Sequence, residues 1–303
     1  MDLLKPVFVI GSPRSGTSLL RLILTSHTKV VVPPECGFIV WLHDKYRNWS
    51  ICNSSDIVQI AQYLDDLYEC KKFDTWNLDR ELLEAILIEQ QPIDYASLSA
   101  IIVLAFARNQ SKEPFVWGDK NNFHTHCLPV LDSLYPQARF LHLVRDGRDV
   151  ACSYRDVMHR DSSSPYAPNL AENIDSIAAE WSANVLQVDG YLAGLVASRR
   201  YLIRYEDLVQ NPKPIVMKLC NWLGVAFEDC MLSSHEANRK MKLEPELTLD
   251  WKRRTLEPIS ASTVGRYRKV LSELDNACFE SLAGNALNKF GYISDDFRWK
   301  GLS

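Results

Sequence analysis

The sequence predicts an α/β fold, P-loop-like and three-layered, in which a mainly parallel central sheet is flanked by helices. Short apolar runs that are typical of buried strands alternate along the chain with helical patterns. A glycine-bounded loop joins the first of these runs to a helix, as at the start of a βαβ unit. No repeat, low-complexity linker or composition shift divides the 303 residues, so we expect a single domain over residues 1–303.

The first predicted elements form the opening βαβ unit. The apolar run Pro6–Ile10 ends at Gly11, and its length and β-branched content favour a buried strand. A helix then begins near Gly16, because the apolar residues between Leu19 and Leu24 fall on one helical face. A second short strand is predicted at Val30–Val32.

The next part of the chain is helical by pattern, over residues 54–108. Ser54 and Ser55 are N-cap candidates for its first helix, and Asp79 is the N-cap candidate for a later one. Phe115–Trp117 is then a short strand candidate, followed by a predicted turn at 118–120.

The second half of the chain contains the clearest buried strand, Arg139–Val144, with the sequence RFLHLV. A helix follows through Val150 and Tyr154, and a polar loop at 159–169 separates it from a long helix through Trp181. Another strand at 201–203 leads to a helix that begins after Pro212 or Pro214. Ligands of such parallel sheets bind at the carboxyl ends of the strands.

Composition excludes several classes of protein. The 34 Lys and Arg residues against 38 Asp and Glu give a net charge of −4, whereas nucleic-acid binders are usually basic overall. No apolar run reaches the roughly 18 residues of a membrane span, and the N-terminus lacks the pattern of a secretory signal. The eight cysteines are scattered without a CxxC pair, as is typical of reduced thiols. We therefore expect a cytoplasmic protein with no nucleic-acid partner.

A metal site is not expected either. The cluster His124-Thr125-His126-Cys127 contains three potential ligands, but nothing elsewhere in the sequence completes a tetrahedral set.

The loop Gly11–Ser18 predicts an anion site. It lies between a strand and a helix, where backbone N–H groups and the positive end of the helix converge. Its glycine spacing is that of the phosphate loop G-x-x-x-x-G-K-[ST], but Thr17 stands at the lysine position. A kinase or hydrolase built on this loop would lack its main cationic contact to the transferred group, and Arg14 supplies positive charge from within the loop instead.

A second anion site is indicated after the strand RFLHLV. Arg145 and Arg148 follow the strand directly, and Ser153 lies on the next helix. Two arginines and a hydroxyl fit a phosphate, held by charge-assisted bonds. The alternative is a surface turn in which Asp146 and Asp149 pair with the arginines.

These motifs resemble those of the PAPS-dependent sulfotransferases. FVIGSPRSGTSLLR is similar to the family's 5′-phosphosulfate loop, FLHLVRDGRDVACSY to its 3′-phosphate motif, and RYEDLVQNP to a later stretch. The resemblance runs from about residue 6 to the 270s, and the PRSGT loop resembles most closely the tyrosylprotein sulfotransferase branch and its bacterial relatives. It implies 3′-phosphoadenosine 5′-phosphosulfate (PAPS) as donor and PAP as product.

The resemblance also implies which residues bind the donor. Arg14 would contact the 5′-phosphosulfate, while Arg145 and Ser153 would bind the 3′-phosphate. Tyr205 is expected beside the donor in a packing role. The remaining residues expected to bind the donor are Pro13, Ser15, Gly16, Thr17, Ser18, Arg266 and Arg268.

The catalytic residues implied by the resemblance are Glu35, Arg14, Lys120 and Ser262. Glu35 follows the loop arginine at the distance of the branch's general base, and a carboxylate there can remove the proton of an acceptor hydroxyl. Lys120 and Ser262 would contact the leaving phosphate or the transferring group. The branch carries an arginine two residues after its base, whereas this chain has Gly37, so the acceptor side departs from the pattern.

Several questions stay open at the level of sequence. The acceptor is a hydroxyl on a peptide, a small molecule, a sugar or a lipid, and a homodimer is one possible assembly. Five aromatic residues after the base either line an acceptor pocket or belong to the core: Phe38, Trp41, Tyr46, Trp49 and Tyr63. The polar loop at 162–168 is either a lid or a surface connection. The alternatives to a sulfotransferase are a P-loop kinase or hydrolase and an inactive binding module of the same fold.

Overall fold

The computed structural model describes residues 5–50, 56–160 and 162–293. Its centre is a five-stranded sheet with the strand order β2-β3-β1-β4-β5, in which every pairing is parallel. The strands are β1 (Val7–Ile10), β2 (Val30–Val31), β3 (Val116–Lys120), β4 (Arg139–Val144) and β5 (Arg200–Arg204).

The register brings all five carboxyl ends to one edge of the sheet. In β1, Val7 pairs with Gly118 on one side and with Arg139 on the other. Because β1 lies between β3 and β4, the loop that follows it is flanked by the ends of both neighbours. This edge is where α/β sheets bind their ligands.

Helices cover both faces of the sheet. Successive residues of β1 belong to different cores: Val7 and Val9 pack in one, Phe8 and Ile10 in the other. The first core contains apolar residues of α1 and α11, and the second those of α4 to α7. The helices are α1 (Thr17–Ser26), α2 (Phe38–Trp41), α3 (His43–Tyr46), α4 (Asp56–Tyr68), α5 (Arg80–Gln90), α6 (Tyr95–Asn109), α7 (Leu128–Leu134), α8 (Gly147–Met158), α9 (Ile174–Ala193), α10 (Tyr205–Gln210), α11 (Pro212–Leu223), α12 (Ser234–Met241), α13 (Leu249–Lys252), α14 (Tyr267–Val270) and α15 (Glu273–Lys289).

Short 3₁₀ helices connect several of these elements: Phe73–Trp76, Asn122–His126, Ala197–Arg199, Asp229–Ser233, Glu246–Thr248 and Arg253–Leu256. The three-layer α/β prediction is thereby confirmed.

Most of the predicted elements are confirmed as well. The strand Arg139–Val144 has the predicted bounds, and the side chain of Asp79 caps α5 by accepting from the Leu82 N–H. The helix predicted after Pro212 begins at that residue. The N-cap candidates Ser54 and Ser55 lie outside the described residues.

Two local predictions need correction. The predicted turn at 118–120 is wrong, because β3 continues through Gly118 and Asp119 to Lys120, all three of them buried and paired with β1. The strand ends in polar residues because its last positions lie at the carboxyl edge of the sheet, where ligands of such sheets bind. The helix α10 directly after β5 was not predicted; it begins at Tyr205.

Within residues 5–50, 56–160 and 162–293, no helix is long and apolar enough to cross a bilayer. In the same part of the chain, no group of three or more His, Cys, Asp or Glu side chains could hold a metal ion. Of the potential ligands in the 124–127 cluster, His124 is buried and lies 3.2 Å from the Asp119 carboxylate, against the Phe8 ring. The seven described cysteines are free thiols.

Candidate active site

A cavity of about 460 Å³ opens at the carboxyl edge of the sheet. Residues at or after the carboxyl end of each of the five strands line it, among them Arg14, Glu35, Lys120, Arg145 and Tyr205. Three carboxylates line the cavity (Glu35, Asp156 and Glu257), against ten cationic side chains: Arg14, Lys71, Lys72, Lys120, Arg145, Arg160, Lys252, Arg253, Arg254 and Arg266. The cavity therefore attracts anions, although the chain as a whole is acidic.

The glycine loop presents a helix N-terminus to this cavity. Gly16 adopts a left-handed φ of 97° as the N-cap of α1, and no side chain caps the helix. The first N–H groups of α1 are thus left for an anion. The hydroxyls of Ser12 and Ser15 are buried nearby and have no hydrogen-bond partner in the described part of the chain. Pro13, Thr17 and Ser18 line the cavity directly.

Arg14 joins this loop to two distant segments. Its Nε donates to Ser153 Oγ on α8 at 3.2 Å, and a terminal nitrogen donates to the Trp251 carbonyl at 2.7 Å. Burial, together with the neighbouring Arg145, lowers its pKa to about 10, so the guanidinium is protonated at neutral pH. An anion in the cavity would relieve the repulsion between these arginines.

Arg145 lies between the loop and the C-terminal segment. It donates to the Arg14 carbonyl at 3.1 Å and to the Thr263 carbonyl at 3.2 Å, and it packs over the Tyr205 ring at 4.6 Å. Its Nε is buried without a partner among the described residues. The hydroxyl of Tyr205 lies 3.1 Å from Thr263 Oγ1, and Tyr205 lines the cavity.

Arg148 pairs with Asp146, as in the alternative for this turn, but the turn is buried rather than on the surface. Asp149 accepts from two backbone N–H groups instead of from an arginine. The Arg148 guanidinium bonds to both Asp146 oxygens, pairs with Glu280 and lies 4.0 Å from the centre of the Tyr267 ring. It does not line the cavity. Of the two arginines in the motif, the structure thus brings only Arg145 to the site.

Glu35 lies at the centre of a cluster of lysines. Lys120 Nζ approaches its Oε1 at 3.3 Å, Lys72 Nζ donates to its Oε2 at 3.0 Å, and Lys252 Nζ lies 3.9 Å from Oε2. The Asn122 backbone N–H also donates to Oε1, at 3.4 Å. Burial alone would raise the pKa of Glu35, but Lys120, Lys252 and Lys72 lower it well below its ordinary value. The carboxylate is therefore ionised in the free protein.

The lysines of this cluster differ in their own environments. Burial, together with the charges of Lys252 and Lys72, lowers the pKa of Lys120 to about 8 despite the attraction of Glu35. Lys252 also donates to Glu244 at 2.5 Å, and Glu244 pairs with Arg21 at 2.7 Å. Burial opposes ionisation of Glu244, yet Lys252 and Arg21 lower the pKa of this carboxyl to about 2.

Of the three site residues predicted in the C-terminal segment, two line the cavity and one does not. Ser262 is exposed and lines the cavity, as does Arg266, which pairs through both terminal nitrogens with Asp156 on α8. Arg268 points elsewhere: its guanidinium lies 4.9 Å from the Tyr267 ring, outside the cavity lining.

The aromatic residues after Glu35 fall into two groups. Phe38, Tyr46, Trp49 and Tyr63 are buried in the core. Trp41 lines the cavity with 41% of its surface exposed. A Cβ on Gly37 would lie 2.3 Å from the Trp41 ring, so the indole packs directly over the glycine that replaces the branch's arginine.

A strap of residues 162–170 closes one side of the cavity. Tyr166 donates from its hydroxyl to Asp74 at 2.6 Å, and Ser162 donates to Asp250 at 3.1 Å. Residues 166–170 line the cavity. The polar loop is therefore part of the cavity wall, hydrogen-bonded through Ser162 and Tyr166, rather than only a surface connection.

Sequence reasoning missed Lys72, Asn122 and Lys252. Lys72 lies 37 positions from the carboxylate it contacts, on a segment without a motif, so no local pattern indicated it. Asn122 was signalled weakly, two positions after Lys120; its side chain accepts from the Thr17 hydroxyl at 3.2 Å. Lys252 begins the basic run Lys252-Arg253-Arg254, but its pairing with Glu244 could not be inferred from the sequence.

Comparison with protein families gives a match over most of the chain. A model described as "Sulfotransferase family" matches residues 6–229, which confirms the resemblance read from the motifs. A putative protein-tyrosine sulfotransferase of Caenorhabditis briggsae is 23% identical over 76% of this chain and 69% of its own length. The protein-tyrosine sulfotransferase 2 of Gallus gallus is 22% identical over 76% of this chain, and the match spans about half of that relative, 54%.

Solved structures show the same fold. The sulfotransferase domain of the Synechococcus PCC 7002 olefin synthase superimposes with a TM-score of 0.60, at 21% identity over 96% of both chains. A mouse sulfotransferase complexed with PAP has a TM-score of 0.52, at 13% identity over 97% of this chain and 86% of its own.

Proposed function

Because this chain belongs to the sulfotransferase family, we propose that it transfers a sulfuryl group from PAPS to an acceptor hydroxyl, with Glu35 as general base. The observation that carries the proposal is the contact between Glu35 and Lys120 inside a cationic cavity at the end of the glycine loop. A carboxylate that can accept a proton and an ammonium that can bind an anion thus meet at one point.

The donor side of the cavity suits a nucleotide with two separate anionic groups. The N-terminus of α1 and Arg14 would hold the 5′-phosphosulfate. Arg145 and Ser153 would hold the 3′-phosphate, and Arg145 Nε still has a hydrogen bond to donate. The PAP complex of the mouse protein with this fold supports the same choice of donor.

The chemistry is an in-line displacement at sulfur. PAPS supplies a sulfuryl group whose bond to a 5′-phosphate oxygen breaks while the acceptor oxygen bonds to the sulfur. Glu35 takes the proton of the acceptor hydroxyl, and Arg14, Lys120 and Ser262 stabilise the negative charge that develops on the departing phosphate oxygen. The enzyme orients the reactants and stabilises charge without forming a covalent bond to either.

The lysine cluster links donor binding to the strength of the base. In the free protein, Lys120 helps to hold the pKa of Glu35 low, which makes the carboxylate a weak base. When Lys120 turns to the anionic groups of the donor, Glu35 loses a nearby cation and its pKa rises. Glu35 thus becomes a better base when the donor is in place.

The acceptor is a hydroxyl on a peptide or a small molecule. The names of the tyrosine sulfotransferase relatives favour a peptide. On the acceptor side of the cavity, Trp41 covers Gly37 beside the base. We therefore infer that the acceptor passes along the exposed indole face on its way to Glu35.

A P-loop kinase or hydrolase is the less suitable candidate. Thr17 stands where that class needs its lysine. Its side chain carries no charge, and its hydroxyl donates to Asn122. An inactive binding module would not need the ionised carboxylate that three lysines surround.

Calorimetric titration tests the choice of donor. PAP is expected to bind and to raise the melting temperature more than ATP with magnesium does. A Trp41→Ala protein should bind PAP like the wild type, because the indole lies on the acceptor side, whereas Ser153→Ala should bind PAP more weakly than the wild type does. Stronger stabilisation by ATP with magnesium than by PAP would contradict the proposal.

A further inference from the structure

The residue that holds the outer oxygen of Glu35 comes from a segment without any motif. Lys72 Nζ donates to Glu35 Oε2 at 3.0 Å, the shortest of the three lysine contacts to this carboxylate. Its side chain is 18% exposed and lines the cavity, and its ammonium has no other partner within the part of the chain that the structure describes.

The backbone around Lys72 is built to place this side chain. Lys72 has a left-handed φ of 74°, which a non-glycine residue adopts only at a cost in backbone strain. It is the N-cap of the 3₁₀ helix Phe73–Trp76, and both of the bounding aromatic side chains of that helix are buried in the core. Trp76 Nε1 donates to the Pro34 carbonyl at 3.0 Å, so the turn is bonded to the residue directly before Glu35.

The other two lysines have tasks that take them away from the carboxylate. Lys252 is nearer to Glu244, at 2.5 Å, than to Glu35, at 3.9 Å. Lys120 faces the donor, to which it turns under the proposed function. After that step, the contacts left to hold Glu35 are Lys72 at Oε2 and the Asn122 N–H at Oε1.

We propose that Lys72 is a positioning residue for the general base: it holds Oε2 so that Oε1 remains turned toward the donor side and the acceptor hydroxyl. The inference rests on the proposed function, because it assigns Lys72 a role in the same proton transfer. The charged groups that face Glu35 are Lys120 from β3, Lys252 from α13, backed by Glu244 and Arg21, and Lys72 itself. Lys72 acts on the reaction only through Glu35.

The direction of the effect follows from the charges. Lys72 is one of three cations that lower the pKa of Glu35, so its removal should raise that pKa. A single cation at hydrogen-bonding distance shifts a carboxyl pKa by about 1–3 units. The acidic limb of the rate profile should move to higher pH by about the same amount, and kcat should fall because Oε2 is no longer held.

Two variants separate the side chain from the backbone. Lys72→Met removes the ammonium and keeps the length of the chain, whereas Lys72→Gly removes it and also relieves the left-handed strain, so it is expected to fold. Lys72→Arg keeps the charge and should restore the wild-type limb. Lys71→Met is the matched control, because Lys71 lines the same wall and makes no ion pair or hydrogen bond among the described residues.

The first measurement does not depend on activity. Carboxyl ¹³C NMR of protein labelled at glutamate, with the Glu35 signal assigned by its loss in Glu35→Gln, follows the titration of this side chain directly. We expect the Glu35 pKa to rise by about 1–3 units in Lys72→Met and Lys72→Gly and to stay in place in Lys71→Met. The second measurement is the pH profile of kcat/KM for sulfuryl transfer in the same proteins.

The outcomes distinguish the two proposals. If the wild-type protein transfers the sulfuryl group, but neither Lys72 variant shifts the Glu35 titration or the acidic limb of the rate profile, the role of Lys72 is overturned and the proposed function is not. A moved Glu35 titration in a protein that transfers nothing from PAPS overturns the proposed function and with it any role of Lys72 in proton transfer. A shift of the Glu35 titration together with a shift of the acidic limb of the rate profile supports the inference.

Discussion

At the scale of single residues, the site depends on charges that are held close together at low exposure. Glu35 is 11% exposed and ionised, and Lys120 is 2% exposed. Burial would disfavour both charges, and each is retained because the other lies within 3.3 Å. Such pairs with shifted pKa values cluster at catalytic sites, which is why this one carries the functional conclusion.

The first prediction concerns the pH dependence of donor binding. Burial lowers the pKa of Lys120 to about 8, so Lys120 loses its proton in the free protein above that pH. A bound phosphate favours the charged form, so PAP binding should take up a proton and weaken by up to about tenfold per pH unit above pH 8. Calorimetry at pH 7 to 9, in buffers of different ionisation enthalpy, measures both effects.

Lys120→Arg is the control for this prediction, because a guanidinium in its place should keep its proton over the same range. The pH dependence of PAP affinity should then largely disappear. A wild-type affinity that is constant from pH 7 to pH 9 would show that Lys120 does not contact the donor.

Single residues also mark how far the sequence alone could lead. The loop residues around Arg14 and the motif containing Arg145 were found from local patterns, because each follows a strand within a few positions. Lys72 and Lys252 approach Glu35 from parts of the chain that only the tertiary fold brings near. Arg148 satisfied the motif, but Asp146 and Glu280 hold it in a structural role.

At the scale of elements, the glycine loop and α1 form the anion site together. The helix starts directly after Gly16, in a left-handed conformation, and the Tyr205 ring from the start of α10 packs against that point. A Cβ at Gly16 would lie 2.5 Å from this ring. The Tyr205 ring can thus pack this closely against the loop because Gly16 has no side chain.

Gly16→Ala should therefore disturb both stability and donor binding. The left-handed backbone alone costs an alanine about 1–2 kcal/mol, and the contact with Tyr205 adds to it. Urea denaturation is expected to show a loss of at least that size in the free energy of unfolding, and PAP titration a weaker affinity.

Gly190→Ala serves as the comparison for this substitution. Gly190 lies on α9 with open space around its Cβ position, so alanine there should stabilise the protein by up to about 1 kcal/mol. If Gly16→Ala matched the wild type in stability and in PAP affinity, the tight loop geometry would not be needed for the anion site.

Elements also explain the one predicted turn that was wrong. Gly118, Asp119 and Lys120 have turn-forming composition, but β1 pairs with all three and buries them in the sheet. The pairing with β1 overrides the turn propensity of these residues, as tertiary contacts often do in strands. The incorrect turn prediction falls at the proposed site, because Lys120 is the lysine that contacts Glu35.

At the scale of the whole molecule, the topology gathers the site from most of the chain. Five parallel strands end at one edge, and the segment 251–266 returns to cover it, with the Trp251 carbonyl bonded to Arg14. The strand pattern predicted this edge, because parallel strands with polar residues after each end are recognisable from the sequence alone. The covering segment was not predicted as structure, since contacts such as that between Arg14 and the Trp251 carbonyl join residues far apart in the sequence.

The molecule's other global properties stay predictions: one domain over residues 1–303, a cytoplasmic location, and an assembly state that is monomer or homodimer. What the whole fold does establish is a cavity with ten cationic and three acidic side chains in a chain whose net charge is −4. The positive charge is concentrated where a doubly phosphorylated donor would bind.

The most direct test of the central claim is sulfuryl transfer itself. Wild-type protein, incubated with ³⁵S-labelled PAPS and a panel of peptide and small-molecule hydroxyl acceptors, should form one PAP for each labelled product. Glu35→Gln should bind PAP but lower turnover by roughly 10²-fold or more, the usual scale for loss of a general base. Failure of the wild type to transfer label to any acceptor, or a Glu35→Gln protein that turns over at the wild-type rate, would contradict the account.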